Sequence, residues 1–233
     1  MGQIEEKHEH IQGRGIIRDI ALGLSDGVVT NVAFLAGFAG ANTSVGVLRF
    51  AGIAAMLAGA VSMFFGGLMA GRAERDLFRA DSKRELSEIE QEPEEEKLEL
   101  KNFYVDKGLT KEESEIVVRR ITKNKQKWLE DLLMHEMYIH EKQLERPLKV
   151  AGVTGLSFLL GAFVPLVGYL AFSTRSYSIV ASVAISLIFL FTAGGWKGKV
   201  SGRRFWASGS EMLLVGAAAS AILFVIGSLL VFV

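Results

Sequence analysis

Residues 61–80 read VSMFFGGLMAGRAERDLFRA. Up to Gly71 the run is apolar or small, and from Arg72 five of the next eight residues are charged. Neither Gly nor Pro interrupts the chain between Arg72 and Glu92, so one helix is expected to leave an apolar layer and continue into water. The same division holds over the whole chain. Half of the 233 residues are hydrophobic and 22% are charged, yet the charges gather between Arg72 and Lys149. A water-soluble domain distributes its charge over its surface, so this segregation predicts a membrane part and a separate polar part.

Five stretches reach the roughly 20 apolar residues that a helix needs to cross a bilayer. They run from Ile16 to Ala41, Gly46 to Gly71, Val150 to Phe172, Ser178 to Trp196 and Glu211 to Val233. The expected organisation is an N-terminal segment (1–15), spans one and two (16–71), an acidic helical domain (72–149) and spans three to five (150–233). The fold class is therefore all-α, with a helical domain inserted between the second and third spans. Within the insertion, Pro93 suits the first turn of a helix running to about Lys107 and ending at Gly108. Thr110 and Glu113 have the spacing of a capping box for the next helix. A last helix is expected to begin near Lys125 and lead into span three at about Pro147.

Basic residues orient the spans. Four of them, Lys197, Lys199, Arg203 and Arg204, lie between Trp196 and Trp206, and the N-terminal end carries Lys7, Arg14 and Arg18. The loops after spans one and three carry only Arg49 and Arg175. The positive-inside rule then puts the N-terminus and the acidic domain in the cytoplasm and the C-terminus on the opposite side. No cleaved signal is expected, and a prokaryotic plasma membrane is the expected host. The 26 basic residues balance 26 acidic ones, which gives no sign of a nucleic-acid partner, and the absence of Cys excludes disulfides and thiolate metal sites.

Few residues carry chemistry. Asp26 stands about ten residues into span one, where a carboxylate costs about 2.5–3.5 kcal/mol, so its default reading is functional. At that depth it can trade a proton for a cation; the alternative is a packing partner bonded to Ser25, Thr30 or Asn31. Met63 in span two offers a thioether to a soft metal, or fills space. Glu85 and Glu88 are three apart and share a helix face, as do Glu96 and Glu99 beyond Pro93. Packed side by side, the two helices would converge four carboxylates, whose oxygens suit Fe(II), Mn(II), Mg(II) or Ca(II); a solvated acidic face is the plain alternative. Glu136 and His140 are four apart and share a face. The string from His135 to His140 has one residue too many for a zinc-protease HExxH, and both histidines read as surface residues. Glycines spaced four apart, Gly23 with Gly27 and Gly67 with Gly71, fit ordinary helix packing or a dimer seam. No P-loop, Rossmann or nucleophile-elbow pattern occurs, so the chain does not read as an enzyme, and no ATP site is there to drive transport.

RDIALGLSDG (18–27), AGIA (51–54), GAVSM (59–63), Arg84-Glu85, Trp128-Leu129, His135-Glu136 and LGAFVP (160–165) together resemble the vacuolar iron transporter family over nearly the whole chain. The resemblance implies a homodimeric carrier that moves Fe(II), and often Mn(II), out of the cytoplasm in exchange for protons, through a cleft at the dimer interface. Zn(II) and Co(II) are further candidate cargoes, and no resident cofactor is implied. The family's intramembrane aspartate and methionine match Asp26 and Met63, and its metal-binding glutamates match Glu85, Glu88, Glu96, Glu99 and Glu136. Three positions depart from plant-type relatives: Ala55 stands where they have a glutamate, and Leu132-Leu133 where they have a methionine pair. A membrane-anchored metal buffer or sensor without transport is the competing function; it needs no carboxylate at Asp26.

Overall fold

The computed structural model describes the backbone of residues 2–137 and 147–230, and side chains over 15–135 and 147–230. Among the described residues all regular structure is helical. The elements are α1 (Gly2–Gly40), α2 (Val45–Gln91), α3 (Pro93–Asp106), α4 (Lys111–Ile121), α5 (Lys125–Met137), α6 (Pro147–Ala171), α7 (Arg175–Val200) and α8 (Phe205–Leu230). Five of them, α1, α2, α6, α7 and α8, are long and apolar enough to cross a bilayer. The chain divides into two compact units: Met1–Leu68 with Leu148–Val233, and Met69–Pro147.

In the first unit α1, α6 and α8 run one way, α2 and α7 the other. Small residues set how closely they pack. Gly23 and Gly27 of α1 press on the backbone of α6 at Thr154 and Phe158, and Gly161 of α6 receives the carbonyl of Leu24. Four residues beyond Gly27, buried Asn31 donates through Nδ2 to the Ala162 carbonyl at 2.5 Å. The Gly23–Gly27 pair is thus committed to packing inside the chain and is not a seam between copies. Lipid supplies no hydrophobic drive between helices, so such close contact is a main source of their cohesion.

Arg49 and Arg175 have structural work at the helix ends. Arg49 donates to the carbonyls of Tyr169 (2.7 Å) and Phe172 (3.3 Å), and Arg175 to those of Ala39 (2.6 Å) and Thr43 (3.2 Å). They satisfy carbonyls left over at the C-terminal ends of α6 and α1, where positive charge is also favoured by the helix dipole.

In the second unit the later part of α2 packs with α3, α4 and α5 around Phe78, Ile89, Leu100, Val118, Trp128, Leu129, Leu132 and Leu133. The α2–α3 break falls at Glu92, with Pro93 at the first helical position. Gly108 has φ +99°, in the left-handed region, and closes α3. Thr110 and Glu113 form the expected capping box: the Glu113 N–H donates to Thr110 Oγ1 (3.2 Å), and the Thr110 N–H to Glu113 Oε2 (2.9 Å). The expected continuous approach to span three covers residues 138–146, which lie outside the described residues.

Span five starts earlier than expected. Its helix begins at Phe205, so Glu211 sits inside it and not at its border. The uncharged stretch 205–210 is helical, and the charge of Glu211 is met by Arg203 at 3.0 Å. Span four likewise runs from Arg175 to Val200, past both ends of the expected stretch.

Two outcomes are expected. Gly27→Leu should destabilise the protein by about 1–3 kcal/mol or more, because its Cβ meets the Phe158 carbonyl, which cannot yield; thermal unfolding in detergent measures it. Thr110→Ala should cost about 1 kcal/mol, seen as faster amide exchange in α4. The Thr110 N–H holds the Glu113 carboxyl below its ordinary value of 4.5. That contribution is present above the ordinary value and fades as pH falls through the lower folded one, so Glu113→Gln should remove this acid-side loss.

Candidate functional site

The sequence pointed to two groups of residues, one in each unit. In the membrane-type unit, Asp26 is half-buried and lines a cleft of about 320 Å³. Its α1 neighbours in the wall are Leu22, Ser25 and Val29, a stripe spaced i, i+3, i+4, i+7 that shares one helix face. The other wall is Lys197 near the end of α7, Arg203 in the α7–α8 turn, and Ser208, Glu211, Met212 and Val215 of α8. Gly194 and Gly198 of α7 lie directly against Met212 and Ser208, which draws the two helices together behind the cleft.

Of the three packing partners considered for Asp26, only Thr30 bonds to it, donating from Oγ1 to Oδ1 at 3.3 Å. Ser25 donates instead to the Ala21 carbonyl, and Asn31 to Ala162. Among the described residues Asp26 takes part in no ion pair. Its carboxylate is therefore lightly held and faces an open cleft. Met63 is half-buried on α2 and does not line that cleft, so the two expected pathway residues do not meet there within one chain.

In the helical unit, Glu85 of α2 and Glu96 of α3 are 2% and 8% exposed, whereas Glu88 is half-buried and Glu99 exposed. Carboxylates are almost never buried this far without partners. Arg84 supplies one: its guanidinium lies 3.3 Å from Glu85, 3.8 Å from Glu88 and 3.5 Å from Asp81. The hydrogen bond to Glu85 raises the pKa of Arg84, so it stays charged. Among the described residues no three His, Asp or Glu side chains stand close enough to hold a metal ion between them. Glu136 belongs to α5, but its side chain lies outside the described residues, as does His140.

Leu132 and Leu133 are buried in the apolar core, while neighbouring Met134 is exposed. Met134 thus faces away from the core that holds Leu132 and Leu133, the positions where the resemblance implies a methionine pair.

His135 corrects an expectation. The expected surface residue is 4% exposed. Its ring stacks on Phe103 with centroids 4.4 Å apart, and Lys107 Nζ lies 2.9 Å from its Nδ1. Asp131 Oδ2 is 3.7 Å from its Nε2 and accepts from the Tyr104 hydroxyl at 2.7 Å. Burial lowers the His135 pKa, partly opposed by Asp131, and Lys107 lowers it further. Burial and the same carboxylate raise that of Tyr104. The signal was in the sequence: Trp128, Leu132 and His135 follow the i, i+4, i+7 stripe of the buried face of α5. Glu211, Lys197 and Arg203 were also missed as site residues, because the basic pair had been read for orientation only and Glu211 as a span border.

Five bilayer-length helices, with a carboxylate facing a cleft among them, define an integral membrane protein. The profile described as the VIT family matches residues 17–228. Vacuolar iron transporter 1 of Arabidopsis thaliana is 36% identical, over 93% of this chain and 86% of that protein. Vacuolar iron transporter 2 of Oryza sativa subsp. japonica is 33% identical, over 94% and 89%. The vacuolar iron transporter of Plasmodium falciparum is 27% identical, over 97% and 86%. The chain belongs to the VIT family, the vacuolar iron transporter family, as its resemblance implied. These relatives are eukaryotic and named for a vacuole, so the expected prokaryotic plasma membrane gains no support from them.

Proposed function

We propose that this protein is a homodimeric carrier that exports Fe(II), and also Mn(II), from the cytoplasm in exchange for protons. The observation that carries the reading is Asp26: a carboxylate in a transporter-family span, lining a cleft and bonded only to Thr30 among the described residues. A carboxylate kept in an apolar layer is costly, and binding a cation or a proton in turn gives it a task that offsets the cost. Asp26 thereby serves as the exchange group, losing its proton when metal binds and recovering one after release.

The relatives named for iron transport support Fe(II) as cargo. Oxygen donors also suit Mn(II). Met63 supplies a thioether from α2, whose Phe50, Ile53, Leu57, Val61 and Phe65 are exposed in the single chain. A second copy on that helix would cover this apolar face and bring another Met63 to the assembly. In the helical unit Glu85, Glu88, Glu96 and Glu99, with Glu136, collect metal on the cytoplasmic side. Arg84 pairs with Glu85 and Glu88 of this set.

Purified protein in proteoliposomes under an imposed pH gradient should carry Fe(II) and Mn(II), and Asp26→Ala should reduce flux to background. Undiminished flux in that variant would remove Asp26 from the mechanism. The full-length Glu85→Gln, Glu88→Gln, Glu96→Gln, Glu99→Gln variant should bind Mn(II) at least about tenfold more weakly in competition with a fluorescent chelator. Unchanged affinity would return those residues to a structural role. Metal binding without flux in the wild type would favour the buffer or sensor.

A further inference from the structure

The Asp26 cleft contains its own competitors for a metal ion. Lys197 and Arg203 line the same cleft as Asp26 and Glu211, so the fixed charges of the four side chains cancel. Arg203 is held in place by its backbone. Gly202 adopts φ +73°, the Ser201 N–H donates to the Lys197 carbonyl at 3.0 Å, and the Arg203 N–H donates to the Gly198 carbonyl at 2.8 Å. This turn closes α7 with its carbonyls satisfied and delivers the guanidinium to the cleft. There it meets Glu211, at 3.0 Å, and not Asp26.

We propose that Glu211 is a positioning residue for transport: it holds Arg203 and screens its charge, which keeps the Asp26 cleft accessible to a divalent cation. This rests on the reading of the cleft as the cation path. Both members of the pair are 60% exposed, and an ion pair this open to solvent adds little to stability. Its effect on the local field is larger, because a cleft with low-dielectric walls focuses the potential of the charges that line it. Without Glu211, Arg203 and Lys197 face Asp26 alone, and the net charge of the lining turns positive. A divalent ion is then repelled at the mouth, and Arg203 is released toward the carboxylate that the ion needs. With Glu211 present, Asp26 keeps only its Thr30 bond, and the cation meets a carboxylate it can take.

The test is initial-rate flux of Fe(II) and Mn(II) in proteoliposomes, as a function of metal concentration. Glu211→Gln should raise KM for both ions at least about tenfold with the maximal rate retained. Glu211→Asp, which keeps the charge, should retain the wild-type KM. The double variant Arg203→Gln, Glu211→Gln should return KM to within about threefold of wild type, as expected for two directly coupled charges. A purely structural role for Glu211 would not be rescued by removing its partner. A wild-type KM in Glu211→Gln, or a raised KM that Arg203→Gln fails to restore, overturns the proposal. Asp26→Asn separates the two levels: if it stops flux while Glu211→Gln behaves as wild type, the screening role alone falls. If Asp26→Asn transports normally, the cleft is not the path and both readings fall.

Discussion

The close approach of α1 to α6 sets the geometry on which the membrane unit depends. Gly23 and Gly27 leave no side chain between the two backbones, and Asn31 continues the same stripe with a hydrogen bond to Ala162. A helix turns about 100° per residue. Committing the 23–27–31 stripe to α6 therefore turns Leu22, Ser25, Asp26 and Val29 toward a different neighbour. That neighbour is α8, which follows α1 from the cleft at Met212 and Val215 to the glycine contact between Gly37 and Gly227. The position of one carboxylate thus follows from the absence of side chains three residues before it and one residue after it.

Both units keep carboxylates beside a tethered arginine. In the membrane unit Arg203 holds Glu211, and in the helical unit Arg84 lies between Asp81, Glu85 and Glu88. Burying like charges together is unfavourable unless opposite charge is supplied. Only Glu85 is deeply buried in these pairs; Arg84 and the Arg203–Glu211 pair are open to solvent and act mainly through the local field. An arginine on the same chain supplies that charge permanently.

The division into spans and a charged insertion was legible because length, hydropathy and charge are local properties of the sequence. So was the capping box, since Thr110 and Glu113 stand on one turn of one helix. The cleft was not legible. Asp26 stood out by itself as a charge in an apolar run, but its neighbours Lys197, Arg203 and Glu211 come from a distant part of the chain and are brought there by helix packing. Glu211 was hidden for a further reason: charge marks the edge of a span in a hydropathy reading, and here an ion pair carries the charge into the helix. His135 shows the opposite failure, since its periodicity was visible and its polarity was given more weight.

The core of the helical unit bears on where ions are told apart. Leu132 and Leu133 fill that core, at the two positions where the resemblance implied methionines, and Met134 faces outward. Volume explains why the core tolerates the exchange: leucine and methionine are close in size, and such swaps usually cost less than about 1.5 kcal/mol. The chemistry does not survive it, because leucine has no lone pair. The helical unit therefore lacks those two sulfurs, and oxygen donors alone discriminate weakly among divalent first-row metals. Thioethers do occur in the membrane unit, with Met212 in the wall of the Asp26 cleft and Met63 on α2. Soft donors are therefore present in the membrane unit and absent at the leucine positions of the helical unit.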